Sequence, residues 1–284
     1  MTPEQYCQQK AANSGSSFYY SFLFLPADKR KAITALYAFC REVDDIVDDC
    51  TDAAIAESKL NWWRQEIGRL YAGNPEHPVS KSLHTALDQF DLQQEYFNEI
   101  IDGMHMDLHI TQYNSFHDLS LYCHRAAGVV GLLAAEIFGC SHRDTLKFAE
   151  NLGTAMQLTN IIRDVREDAF LGRVYLPEDD LQQFNVKVTD LHLVKTTEAV
   201  KSLLAFEVER AQEYYAKAFS LLPEQDRYNQ LSSLIMAEIY MKLLDEIRND
   251  GYQVMEHRIK LTPLRKLWIA WKTFRREKKL ARRD

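Results

Sequence analysis

Two acidic stretches about 120 residues apart constrain what this chain can fold into. Residues 41–49 read REVDDIVDD and residues 157–168 read QLTNIIRDVRED. At the roughly 100° per residue of an α-helix, Arg41, Asp44 and Asp48 fall within an arc of roughly 60°, and Gln157, Asn160, Asp164 and Asp168 within roughly 80°. Leu36, Phe39, Cys40, Val43 and Val47 occupy the other side of the first stretch, and Leu158, Ile161, Ile162 and Val165 that of the second. Both spacings therefore predict helices with one apolar and one oxygen-bearing face. Carboxylates repeated at i and i+4 repel one another unless a cation lies between them. Mg²⁺ accepts such ligands, taking one or two carboxylates and completing its octahedron with water and phosphate oxygens. Either stretch alone reads equally well as a solvated helix face. The pair, one with an in-phase Arg and the other with in-phase Gln and Asn, points to a metal–diphosphate site between facing helices.

Such a site requires both stretches to share one cavity, and the composition is compatible with that. The 284 residues are 46% apolar with only ten Gly and seven Pro, which disfavours a turn-rich β architecture. We expect an all-α, single-domain helical bundle with a central cavity, spanning residues 1–284. Helical patterns are read at 27–49, 52–73, from Pro78, 96–106, 116–139, 190–221 and 224–250. The most apolar, 116–139, carries Ala126, Ala127, Gly128, Gly131, Ala134 and Ala135, small residues that let helices approach or leave room for a long chain. Five cysteines at 7, 40, 50, 123 and 140 lack C-x-x-C spacing and read as reduced thiols of a cytoplasmic protein.

The polar N-terminus MTPEQYCQQK gives no signal-peptide pattern, and the longest apolar run, 129–138, contains Glu136 and is too short to span a bilayer. The expectation is a soluble or at most peripheral protein. Charge is uneven. Residues 257–284 carry eleven Lys/Arg and two Asp/Glu, a net +9, against −7 for the chain. This segment also holds Leu264, Trp268, Ile269, Trp271 and Phe274, so residues 262–284 read either as an interfacial helix on the inner face of an anionic membrane or as a last helix packing through Leu264 and Trp268. The acidic remainder argues against nucleic acid as a partner.

At its motifs the chain resembles the head-to-head prenyl synthases of the squalene/phytoene synthase family. The two DxxxD pairs are matched by Asp44/Asp48 and Asp164/Asp168, the tyrosine-bearing helix by LYCHRAAGVVG at 121–131, the flap by GRVYLP at 172–177, and the early Ser-Phe segment by SGSSFYYSFLFLP at 14–26. The resemblance, running from about residue 12 to 260, is strongest to bacterial hopanoid-pathway presqualene diphosphate synthases. It implies an isoprenoid-synthase-type bundle, two or three Mg²⁺ ions held by Asp44, Asp48, Asn160, Asp164 and Asp168, and farnesyl diphosphate as substrate. It further implies diphosphate or substrate contacts from Ser14, Ser17, Arg41, Gln157, Asn160, Arg163, Arg173 and Tyr175. Tyr122 would border the carbocation, with Tyr240 and Arg258 facing the site. Tyr122 also reads as an ordinary core tyrosine, Ser14 as a helix cap, and Asp102 and Asp107 as solvated acids or members of the cavity wall.

The implied reaction is condensation of two farnesyl diphosphates to presqualene diphosphate, without NADPH, handing the product to a downstream squalene-forming enzyme. Alternatives are a phytoene or dehydrosqualene synthase, a two-step squalene synthase, and, in another class, a helical assembly factor without catalysis.

Overall fold

The computed structural model describes residues 1–13, 18–50 and 52–282, with Tyr19 described by its backbone alone. Ser14 and Ser17 lie outside the described residues. The chain is all-α. Its elements run α1 (Pro3–Asn13), α2 (Phe18–Phe22), α3 (Ala27–Asp49), α4 (Ala53–Tyr71), α5 (Pro78–Leu87), α6 (Gln94–His109), α7 (Phe116–Cys123), α8 (Val129–Phe138), α9 (Arg143–Phe170), α10 (Glu178–Gln183), α11 (Glu198–Leu221), α12 (Glu224–Arg227), α13 (Leu231–Asn249) and α14 (Pro263–Leu280). A π-helical turn, His124–Gly128, joins α7 to α8.

Apolar periodicity builds two packed cores. One gathers α1 and α3 to α6 around Leu36, Phe39, Leu60 and Phe97; the other gathers α9, α11 and α13 around Phe148, Leu204, Tyr215 and Leu234. The α7–α8 run stands between them, giving Leu133 and Ile137 to the first and Leu119, Cys123 and Ala135 to the second. This continuous run, Phe116–Phe138, is 23 residues long and apolar enough to cross a membrane by length and composition. That corrects the expectation of no such stretch, and its use in the fold is as the wall between two cores. It crosses α9 at close quarters. A Cβ on Gly131 would lie 2.4 Å from the Ala149 carbonyl oxygen, and one on Gly153 equally close to that of Ala127. Only glycine permits this approach of backbones.

Three further expectations change. Residues 190–221 are not one helix: a 3₁₀ turn (Val188–His192) precedes a fresh start at Glu198, where the Thr197 hydroxyl accepts from the Val200 amide. The 224–250 pattern is interrupted after Arg227, because Asp226 caps the start of α9, accepting from the Ser141 and His142 amides at 2.9 Å each. Gln230, immediately before the restart at Leu231, donates to the carbonyls of Ala135 and Gly139. These tertiary bonds override local helix propensity. Last, α14 packs through Ile269, Ala270 and Thr273, and through Phe274 stacked on Phe24 at 4.8 Å. Leu264 and Trp268, which one of the two readings of this segment turned inward, point outward at 79% and 57% exposure.

Candidate active site

Both acidic faces occupy the C-terminal halves of their helices, Asp44 and Asp48 on α3 and Asp164 and Asp168 on α9. Carboxylates there oppose the helix macrodipole, whose negative end they share, and no basic residue occupies the last turn of either helix. The compensation is tertiary. Arg173 donates to Asp48 Oδ1 at 3.0 Å and to the Val47 carbonyl at 3.1 Å, neutralising the end of α3. Arg258 reaches Asp164 at 2.8 Å, joining Arg163, whose Nε lies 2.8 Å from the same carboxylate. Arg41 bridges Asp44 and Asp45.

Arg173 is held by the segment after α9. Gly172 takes φ +78°, a left-handed conformation suited to glycine, and turns the chain back. Val174 then donates to the Thr111 carbonyl at 2.7 Å and Glu178 to that of Tyr113 at 2.9 Å. The flap thereby lies on residues 111–114, with Tyr175 buried beneath it.

Between α3, α6 and α9 these groups line a polar chamber of about 380 Å³. On its α6 side Asp107 accepts from the hydroxyls of Tyr122 (3.0 Å) and Tyr175 (2.7 Å). The rings of Tyr122 and Tyr175 stack at 5.0 Å, and Tyr113 extends the stack beside Tyr175. Gln157 donates to the Tyr122 hydroxyl at 3.5 Å, and Asn160 to Gln157 Oε1 at 3.3 Å.

Burial and crowding raise three of the carboxyl groups. Burial, then the Asp48 charge, lifts Asp44 to about 7. Burial with Asp164 lifts Asp168 to about 8 despite Arg173. Burial lifts Asp107 to about 6 against its two tyrosine hydrogen bonds. The arginines therefore leave negative charge uncompensated on both helices. The Asn160 carbonyl oxygen is moreover buried without a hydrogen-bond partner. Hard carboxylate oxygens on facing helices and one unused amide oxygen fit Mg²⁺.

A second cavity, of about 180 Å³, adjoins the chamber through Cys40, Ala126, Gln157 and Asn160. Its walls are small or apolar: Ala127, Val130, Gly131 and Ala134 on the α8 side, Leu152, Gly153 and Met156 on α9, with Phe138 among its bulkiest. The small residues read from the sequence thus both permit close crossing and leave room. Gly128 and Ala135 are buried in packing instead.

Arg41, Asp44, Asp48, Tyr122, Gln157, Asn160, Arg163, Asp164, Asp168, Arg173 and Tyr175 all reach the one chamber, as does Arg258. Tyr240 borders the apolar cavity. Asp102 faces elsewhere, paired with Arg64 at 2.6 Å. Sequence reasoning set Asp107 no higher than Asp102 and passed over Tyr113. Asp107 lies in GMHMDL at 103–108, a stretch that resembles the family's, but its spacing does not raise it above Asp102, since its partners come from two distant segments.

Comparison with known proteins agrees with this geometry. The squalene/phytoene synthase family model matches residues 11–265. A phytoene synthase from Arthrospira platensis is 35% identical over 89% of this chain and 86% of its own length. A presqualene diphosphate synthase from Rhodopseudomonas palustris is 36% identical over 94% of this chain and 96% of its own. Among solved structures, a dehydrosqualene synthase superposes with a TM-score of 0.86 at 29% identity, covering 98% of this chain and 97% of that one. A squalene synthase from Alicyclobacillus acidocaldarius superposes with a TM-score of 0.76 at 30% identity, covering 88% and 94%. The architecture is the all-α isoprenoid-synthase fold.

Proposed function

Because the chain belongs to the squalene/phytoene synthase family of isoprenoid prenyltransferases, we propose that it condenses two farnesyl diphosphates head to head into presqualene diphosphate. The observation that carries this reading is the joining of the acidic chamber to an apolar cavity across Cys40, Ala126, Gln157 and Asn160. One end suits a diphosphate and the other a prenyl chain.

Asp44, Asp48, Asp164, Asp168 and the Asn160 carbonyl oxygen would hold Mg²⁺, which when bound neutralises charge on a departing diphosphate. Arg41, Arg163, Arg173 and Arg258 bring forked N–H donors to the phosphate oxygens. Cleavage of the allylic C–O bond leaves a carbocation beside Tyr122 and Tyr175, which line the chamber and whose ring faces are negative. The apolar cavity keeps water from that cation. The alkene of the second molecule attacks to form the new C–C bond, and loss of a proton closes the cyclopropane. The proton goes to the released diphosphate or to the Tyr122 hydroxyl. Asp107, bonded to Tyr122 and Tyr175, orients both phenols. The reaction stops at presqualene diphosphate without NADPH, and a downstream squalene-forming enzyme consumes the product.

The support for this product over others is the resemblance of the motifs and the coverage of the Rhodopseudomonas palustris relative. A second reading, phytoene synthesis from a longer donor, is favoured by the phytoene synthases among the relatives. Purified protein is incubated with farnesyl or geranylgeranyl diphosphate and Mg²⁺, with and without NADPH. A cyclopropyl C30 diphosphate unaffected by NADPH is expected. A C40 product from the longer donor alone establishes the second reading, and squalene formed only with NADPH makes this a two-step enzyme.

A further inference from the structure

Helix α14 carries a face that the bundle leaves uncovered. Its inner side is spent on Ile269, Ala270, Thr273 and Glu277, all buried. On the opposite side Leu264, Leu267, Trp268 and Trp271 are 79%, 40%, 57% and 50% exposed. On a helical wheel these four fall within roughly 100° of one another. Lys272, Arg275, Lys278 and Lys279 are exposed on the following turns of the same side. Three of these cations fold over aromatic rings of the helix, Lys272 at 5.1 Å from Trp268, Arg275 at 5.0 Å from Trp271 and Lys278 at 5.2 Å from Phe274. The helix's one acid, Glu277, is turned inward between Arg227 and Arg276. The outward face is thus apolar in its first half, cationic in its second, and without an acid.

We propose that this face of α14 docks the enzyme on an anionic lipid bilayer. Tryptophan and leucine enter the headgroup boundary while the flanking lysines and arginine meet lipid phosphates, the pairing that holds amphipathic helices in a membrane interface. Charge complementarity fixes the orientation. Residues 257–284 carry net +9 in a chain whose total is −7, so the rest of the molecule is acidic and is repelled by the surface that attracts α14. Docking also serves the cavity. Lys266, near the start of α14, borders an opening shared with Arg41, Asn160, Arg163 and Arg258 of the polar chamber. Phe274 stacks on Phe24, just after α2, whose Phe18 and Phe22 line the apolar cavity. The bilayer would therefore lie beside the opening through which long apolar chains pass.

The test uses the full-length protein with vesicles of phosphatidylcholine alone and with added phosphatidylglycerol, read by co-sedimentation and tryptophan fluorescence. Binding is expected with the anionic vesicles, accompanied by a blue shift, and it weakens as salt rises. Each cation removed near such a surface lowers binding about fivefold. Lys272→Glu/Arg275→Glu is therefore expected to lose more than tenfold, and Trp268→Glu/Trp271→Glu to lose the blue shift and most binding. Both variants alter exposed side chains, so their circular dichroism and their turnover of dispersed substrate stay at the parent level. Equal binding to neutral vesicles, unchanged binding of either variant, or no vesicle binding by the parent overturns the proposal. So does a parent dimer that the tryptophan variant converts to monomer without any vesicle binding, which assigns the face to a second copy of the chain.

Discussion

The polar chamber and the apolar cavity are built largely from the same helices, yet they depend on opposite physics. Toward its C-terminal end α3 presents Asp48 and Asp44 to the chamber; about two to three turns back it presents Tyr37, Leu36 and Ile33 to the cavity. Helix α9 changes in the same sense, from Asp168 and Asp164 through Asn160 and Gln157 to Gly153 and Ala149. In the chamber, groups are held against their own preferences: carboxylates at helix C-termini, raised by burial and by one another, and an amide oxygen without a partner. In the cavity nothing is strained electrostatically, and what matters is volume. Ionisation of a diphosphate needs the first and protection of a carbocation needs the second. One pair of helices supplies both by changing residue type along its length.

Substitutions separate the two regions. The largest effect belongs to the chamber. Asp164→Ala removes a carboxylate that also anchors Arg163 and Arg258, and should lower turnover on the order of 10³-fold. The exposed Asp49→Ala, one residue beyond the chamber's Asp48, should leave steady-state turnover unchanged. Asp107→Asn comes next. It leaves one of two tyrosine hydroxyls without an acceptor, and a loss of about 10–100-fold in kcat with little change in KM is expected. An equal rise in KM would place Asp107 in binding instead. In the cavity, Phe138→Ala should not abolish catalysis but change its selectivity. The ratio of kcat/KM for the C20 over the C15 donor should rise about tenfold or more, and an unchanged ratio would show that the cavity ends elsewhere.

The smallest effect is on stability. Asp44 and Asp168 have folded-state values of about 7 and about 8, above their unfolded values. Between the two the native state binds more protons than the unfolded one, so stability without metal falls as pH rises from 4 toward 8. Thermal melts should show a lower Tm at pH 8 than at pH 6. Asp168→Asn, or Mg²⁺ with diphosphate, should narrow that gap. A gap that neither treatment alters would mean the charge strain lies outside the chamber.

The two acidic faces were legible because helical periodicity alone puts Asp44 with Asp48 and Asp164 with Asp168 on single faces. The helix bounds at Ala27–Asp49 followed from Pro26 and the apolar spacing. What escaped depends on contacts between distant segments. Asp107 gains its role only when the 172–177 flap lies on residues 111–114, and α13 starts late because Asp226 is drawn to cap α9. In α14 both faces carry large apolar residues, so periodicity could not tell that Ile269 points inward and Trp268 outward. The π turn at His124–Gly128 shifts the phase between Tyr122 and Val130, which a single 3.6-residue pattern cannot register.

The central claim is that the chamber is a metal–diphosphate site, and calorimetric titration of the protein with inorganic diphosphate tests it most directly. The account predicts tight binding only when Mg²⁺ is present, lost in Asp44→Ala and Asp168→Ala and weakened in Asn160→Ala, with Phe138→Ala unaffected. Binding of equal strength without Mg²⁺, or binding indifferent to the aspartates, would contradict it.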